Sequence, residues 1–434
     1  MVDLYQLKCS CISTMSSFPF AITEHTIEAS HIREYARATS HAQDEKLYLH
    51  IKQYTPKDNP NPQKGDVTII GGHANGFPKE LYEPLWEEFY HEAKRRDIRI
   101  RSIWIADTAW QGRSGIINQD ALGNDPSWLD YARDILHMIN TFRPPPPIMA
   151  MGHSFGSNAL TNVALLHPRV FTSLVLLDPV ISHFASTPGA RSAGPAAASM
   201  HRREVWPSRA EASASFNRSP FYKSWDPRVL QRWLDHGIRD VPGGESVTLT
   251  TTKHQEIFTF LRPSWQAYDA EGKDVIHPEH TPDLDPSLNR RWATYPVYRP
   301  EGPNTVVRLP EVRPSVLYVF GGKSDVSPQE LQDEKMALTG TGVGGSGGQS
   351  KGRVKKVVGE KNGHLIPMED PRFCASAAAD WIKAELERWW TDERKYVEWT
   401  NKSKEEKSTV SEEFQKHIGK PAPRRPKNVT KAKI

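Results

Sequence analysis

Gly152-His153-Ser154-Phe155-Gly156 constrains this 434-residue chain more than any other segment. A short apolar run, Ile148–Met151, leads into it, and a helical pattern, Phe155–Leu166, starts directly behind. A serine caught between a strand end and a helix start sits on a sharp, strained turn. Small residues two before and two after are then needed, because neighbouring chain passes close. Such a turn holds the Ser154 Oγ above the carboxyl ends of the strands. The Phe155 N–H faces the same space at a helix N-terminus, where developing negative charge is favoured. An ordinary tight turn is the competing reading, and the strand–turn–helix setting favours a nucleophile.

The flanking sequence keeps that strand–helix rhythm. Leu47–Tyr54 and Ile98–Ile105 alternate apolar and polar residues as strands do, and Val67–Ile70, Leu174–Leu177, Val316–Phe320 and Val354–Val358 are short buried-type runs. Helical spacing follows in Leu81–Phe89, Trp128–Phe142 and Pro371 to about Trp390. Alternating strands and helices predict an α/β fold with a doubly wound, mostly parallel sheet. Residues 182–310 break the rhythm and are too long for a structureless loop, so they predict an inserted helical cap. The expected organisation is an irregular lead-in at 1–45, a core from 46–181 and 311–390, the cap, and a tail from 391–434. The Gly-rich Thr339–Lys351 fails as a phosphate-binding loop, since Gly352 follows Lys351, and reads as a flexible linker.

Charge belongs mainly to the tail. Residues 391–434 carry 12 Lys/Arg and 7 Asp/Glu, a surplus larger than the whole chain's +4, so the remainder is close to neutral. That balance argues against nucleic acid as a partner. The tail's prolines and scarcity of apolar residues predict disorder. Cys9, Cys11 and Cys374, three in all, cannot build a disulfide framework and fit a reducing compartment. No run reaches membrane-spanning length, and no signal-peptide core stands at the N-terminus. His277-Pro278-Glu279-His280 has ligand residue types, but Pro278 breaks helical spacing, so no metal is expected there.

A serine needs a base. His364, between the last strand and the closing helix, can lean over the sheet ends toward Ser154. The base needs an acid, and two aspartates at strand ends satisfy the order Ser, Asp, His: Asp325 after Val316–Phe320 and Asp178 after Leu174–Leu177. The loop after the penultimate strand lies nearest the histidine loop, which favours Asp325. The second oxyanion donor is expected from Gly71–Phe77, with the Asn75 N–H joining that of Phe155 and with His73 anchoring the loop. Asp107 and Trp110 would line the same rim.

The segments around Gly72–Phe77, Gly152–Gly156, Asp325 and His364 resemble the α/β-hydrolase superfamily over about Leu47 to Trp390. Gly72-His73-Ala74-Asn75-Gly76-Phe77-Pro78-Lys79-Glu80-Leu81-Tyr82 is also similar to fungal peroxisomal hydrolases of AK-toxin-type biosynthesis and to peroxisomal lipase-like proteins. This resemblance implies a serine hydrolase of esters or thioesters without a cofactor, in toxin or other secondary-metabolite biosynthesis or in lipid metabolism. The final Ala432-Lys433-Ile434 is similar to a peroxisomal address and would make an import receptor a partner; residence in the cytoplasm is the alternative. Trp206, Phe216, Phe221, Tyr222, Trp225, Trp233, Phe258, Phe260 and Trp265 are available to line an acyl pocket or to pack the cap on itself. A non-catalytic binding protein on the same scaffold, or an acyltransferase, would share much of this pattern.

Overall fold

A computed structural model of the protein describes residues 18–183, 194–284 and 295–421. The short runs are strands, all but the edge strand Val354–Gly359 largely buried on both faces, as a parallel sheet covered by helices requires. They are β3 (Val67–Gly72), β4 (Ile100–Ala106), β5 (Ile148–His153), β6 (Ser173–Leu177), β7 (Ser315–Gly321) and β8 (Val354–Gly359). Two further strands, β1 (Phe20–Glu28) and β2 (Tyr48–Pro56), complete an eight-stranded sheet of order β1-β2-β4-β3-β5-β6-β7-β8. The β1/β2 and β2/β4 pairs are antiparallel and the rest parallel. Strand order reverses around β3, so the loops leaving β3 and β5 meet at the carboxyl ends of the strands, the end of such sheets where ligands bind.

Helices α1 (Glu83–Arg95), α2 (Trp128–Phe142), α3 (Phe155–Leu166), α4 (Gln329–Leu338) and α5 (Pro371–Thr400) accompany the sheet. Period-two alternation divides the core in two. Ile69, Met149, Met151, Val175, Leu177 and Val319 pack with Trp86 and Phe89 of α1 and Ala378 and Ile382 of α5. Ile70, Ile148, Ala150, Leu174, Leu176 and Tyr318 pack with Ile135 of α2 and Val163 of α3.

Between β6 and β7 the inserted segment holds short helices, among them Pro195–His201, Arg209–Arg218, Pro227–Arg232 and Lys253–Phe260. It also holds a small antiparallel sheet of Val205–Trp206, Val247–Leu249 and Ile238–Asp240, which the helical expectation did not include. Glu301–Val306 returns to the body, where Asn158 Nδ2 of α3 donates to the Glu301 carbonyl at 3.3 Å.

Three expectations need correction. The irregular lead-in contains β1, an edge strand whose mostly exposed residues carry no burial pattern to read. The Gly-rich segment is a tied loop, with Gly340 N–H donating to Leu309 O at 2.9 Å and Ser346 N–H to Val312 O at 3.0 Å. The tail from Thr391 is helical to Thr400, and Lys404–Ser408 and Glu412–Ile418 are further helices begun by the caps Ser403 and Ser411. The described residues divide into two compact units between Leu386 and Glu387. Cys9, Cys11, Ala432, Lys433 and Ile434 lie outside the described residues.

Candidate active site

Ser154 sits at φ 58°, ψ −124°, a conformation that an L-residue holds only under constraint. Its N–H donates to Leu177 O at 3.0 Å, and the Ser157 hydroxyl donates to Gly152 O at 2.7 Å. The two motif glycines are sterically required. A Cβ on Gly156 would stand 2.5 Å from the His73 carbonyl oxygen, and one on Gly152 would stand 2.9 Å from Ser157 Cα. The elbow and the loop after β3 thus touch backbone to backbone, and no side chain fits between them.

His364 Nε2 lies 3.0 Å from Ser154 Oγ, and its Nδ1 lies 2.6 Å from Asp178 Oδ2. The favoured Asp325 is therefore not the partner of His364. Its side chain is exposed, whereas the neighbouring Ser324 donates its hydroxyl to Asp178 Oδ2 at 2.6 Å. Asp178 adopts φ 41°, tolerable for Asp, and this turns the carboxylate back under β7. There the Gly321 N–H donates to Oδ1 at 3.1 Å. Burial opposes ionisation of Asp178, but the His364 ring N–H, the Ser324 hydroxyl and the Gly321 N–H outweigh it and hold the carboxyl below its usual range. An ionised Asp178 keeps the proton on Nδ1 and leaves the Nε2 lone pair aimed at the serine.

The loop after β3 is held at several points. His73 donates from Nδ1 to Ala74 O at 2.9 Å and accepts the Thr108 N–H at Nε2, also at 2.9 Å. Gln111, fully buried and without any motif to mark it in the sequence, takes the Gly76 N–H at 2.8 Å. Its Nε2 donates to Asn75 Oδ1 at 2.6 Å and to Thr259 Oγ1 of the inserted helix at 2.9 Å. Asn75 Nδ2 in turn reaches the Glu256 carbonyl at 3.0 Å. The Asn75 side chain is thus committed to the inserted segment. Asp107 does not line the rim: it is buried against Lys79 Nζ at 2.6 Å and accepts the Arg113 N–H at 2.9 Å. Trp110 is likewise buried, with its indole N–H on Thr259 Oγ1 at 2.7 Å.

Because Gln111 alone bridges the Gly76 N–H, Asn75 and Thr259, Gln111→Leu should lower kcat about tenfold with little change in thermal midpoint beyond a few degrees. Steady-state kinetics beside a melting curve measure both.

Of the aromatic residues named for the inserted segment, Trp206, Phe216, Tyr222, Trp225 and Trp233 form one cluster. Phe77, two residues beyond Asn75, joins it edge-on to Trp225 at 5.4 Å and to Trp233 at 6.2 Å. Phe258 and Phe260 are partly buried, and Phe221 and Trp265 are about half exposed. His277 pairs with Glu279 at 3.2 Å on an exposed turn. Among the described residues no group of His, Cys, Asp or Glu is arranged to hold a metal ion, and no helix is long and apolar enough to cross a membrane.

His153, inside the elbow, is fully buried and neutral. Burial, followed by the nearby His364 ring, brings its pKa down from 6.5 to about 3. The unfolded chain binds this proton below pH 6.5 and the folded chain does not. Stability is therefore lost as pH falls from 6.5 toward 3, by about 1.4 kcal/mol per pH unit for this one group. Urea titrations at pH 6.5, 5.5 and 4.5 should show a shallower loss in His153→Gln. Buried His73, also lowered by desolvation, keeps the slope above zero.

Comparison with known proteins identifies the family. The model of the alpha/beta hydrolase family matches residues 71–377. The chain is 40% identical over 410 residues to the type I acyl-CoA thioesterase mpaH of Penicillium brevicompactum, covering 88% of this chain and 92% of that one. It is 28% identical to the abhydrolase domain-containing protein AFT2-1 of Alternaria alternata, over 55% of this chain and 83% of that one. Among solved structures, the peroxisomal alpha-beta-hydrolase Lpx1 of Saccharomyces cerevisiae superposes with a TM-score of 0.63 at 16% identity, over 91% of this chain and 100% of that one. The fold, the strained serine turn and these relatives agree: the chain belongs to the alpha/beta hydrolase family.

Proposed function

We propose that the protein is a serine hydrolase that cleaves an acyl thioester, or the corresponding ester, through an acyl-enzyme on Ser154. The observation that carries this reading is the continuous chain Ser154 Oγ–His364 Nε2 at 3.0 Å and His364 Nδ1–Asp178 Oδ2 at 2.6 Å, on a serine turn strained toward the site. His364 takes the serine proton as Oγ attacks the acyl carbonyl, and Asp178 stabilises the imidazolium that forms. The oxyanion rests on the N–H groups of Phe155 and Asn75. Ala74 and Gly76 have already given their N–H groups to Tyr82 and Gln111, which fixes the peptide planes before and after the one that carries the Asn75 N–H. His364 then gives its proton to the leaving group and activates the water that releases the acid.

The similarity to a protein named a type I acyl-CoA thioesterase favours the thioester over the oxygen ester. Phe77, partly exposed beside the oxyanion loop and backed by buried Trp225 and Trp233, offers apolar surface to an acyl group. The purified protein should release free thiol from at least one member of an acyl-CoA panel, with a kcat/KM above that for oxygen esters of the same acids. Release from no acyl-CoA and no ester, together with no labelling by a fluorophosphonate, defeats the reading. Residence in the peroxisome is part of the same proposal, supported by Ala432-Lys433-Ile434. A fluorescent fusion carrying the tripeptide at its free end should become diffuse when those residues are removed.

A further inference from the structure

The elbow histidine is hydrogen-bonded on both ring nitrogens, and the bonds run in one direction. The Ala74 N–H, in the oxyanion loop, donates to the Tyr82 hydroxyl at 2.8 Å. That hydroxyl spends its proton on His153 Nδ1 at 2.9 Å, and His153 Nε2 lies 2.9 Å from the backbone carbonyl of His364. A carbonyl only accepts, so Nε2 carries the proton and Nδ1 the lone pair. Tyr82 and His153 are both fully buried, and the neutral state of His153 leaves no other protonation pattern open. We propose that Tyr82 and His153 are positioning residues that tie the oxyanion loop to the backbone of the general base, setting where His364 stands relative to Ser154. This inference rests on the serine-hydrolase reading above.

The rest of the histidine loop explains why such a tie is needed. His364 hangs between β8 and the short turn Ile366–Glu369. Besides the His364 carbonyl, the loop is held before the ring by Gly363 N–H on Glu369 Oε2 at 2.8 Å and by Lys323 N–H on Asn362 O at 2.9 Å, and after it by Leu365 O, which accepts the Met368 and Glu369 N–H groups at 2.8 and 3.0 Å. These bonds hold the residues on either side of His364, not the His364 carbonyl itself. The imidazole of His153, whose ring centroid is 5.3 Å from that of His364, fixes the peptide after it. Loss of this bond loosens the residue whose ring must meet Asp178 and Ser154 together, and a misplacement near 1 Å costs up to about a hundredfold in rate.

Two substitutions separate this role from mere filling of space. Gln places an amide N–H close to the position of Nε2 and so can still donate to the His364 carbonyl. Asn places its oxygen close to the position of Nδ1, keeping the Tyr82 bond and losing the other. The expected result is that His153→Asn slows fluorophosphonate labelling and kcat about ten- to a hundredfold with KM within about threefold, while His153→Gln recovers to within about threefold of the native rate. Tyr82→Phe, which frees the His153 tautomer, should fall between them. Equal rates in the Asn and Gln variants, with melting midpoints showing both folded, overturn the inference. If neither folds, Tyr82→Phe decides: labelling at the native rate overturns it, and slowed labelling with unchanged KM supports it. Absence of labelling in the native protein counts instead against the serine-hydrolase reading itself.

Discussion

Ser154→Ala is expected to abolish turnover and fluorophosphonate labelling, with a fall in kcat of at least about 10⁴-fold and a KM near the native value. The hydroxyl is the only group that changes, and a triad without its nucleophile keeps only what the oxyanion donors and binding supply. Ser154→Gly should be equally inactive and yet more stable than the native protein by about 1 kcal/mol, because φ 58° with ψ −124° costs an L-residue strain that glycine does not feel. Comparison with Ser154→Ala, which keeps the Cβ and hence the strain, separates this gain from the effect of losing the hydroxyl. An inactive glycine variant that melts higher than the alanine variant identifies the strain as the cost of aiming the nucleophile. Retained turnover in either variant removes Ser154 from the mechanism.

The legible parts of this chain are those that burial writes into a period. Helices α2 and α3 coincide with the stretches expected from spacing, Trp128–Phe142 and Phe155–Leu166: α2 buries one face against the sheet, and α3 is buried on nearly all sides and ends where exposure begins at Leu166. The motif Gly152–Gly156 was readable for a related reason: its glycines answer to backbone contacts that no other residue permits. Where burial is absent the signal fails. In β1 only Phe20 is buried, so its pairing with β2 leaves little trace in residue type. Helix α5 runs on to Thr400 through residues that are largely exposed and charged, where no apolar stripe marks its end.

The site fails in a different way. Gln111, Tyr82 and Ser324 are ordinary polar residues, and only their convergence on Gly76, His153 and Asp178 gives them meaning. That convergence depends on loops leaving different strands, which no local pattern encodes. The choice between Asp178 and Asp325 is of the same kind. Both follow parallel neighbours, β6 and β7, and both precede His364 in the chain. What separates them is the backbone turn at Asp178 and the donors supplied by β7's own loop.

That choice leads to the second large effect. Asp178→Asn should lower kcat about 10³- to 10⁴-fold, while Asp325→Asn stays within about twofold. An amide at position 178 still accepts one bond from Gly321 N–H or the Ser324 hydroxyl, so the loop geometry survives. Its N–H₂ group, however, favours the His364 tautomer with the lone pair on Nδ1. The proton then sits on Nε2, opposite Ser154 Oγ, and the base cannot accept. Stability carries a separate signature. Because the native carboxyl is held below its usual range, its contribution is present above the unfolded pKa and is lost as pH falls through the folded one. Asp178→Asn should therefore be less stable than the native protein at pH 7 and converge on it in acid. A variant set in which Asp325→Asn is the slow enzyme and Asp178→Asn the normal one would mean that the histidine loop reorganises onto β7 in the working state.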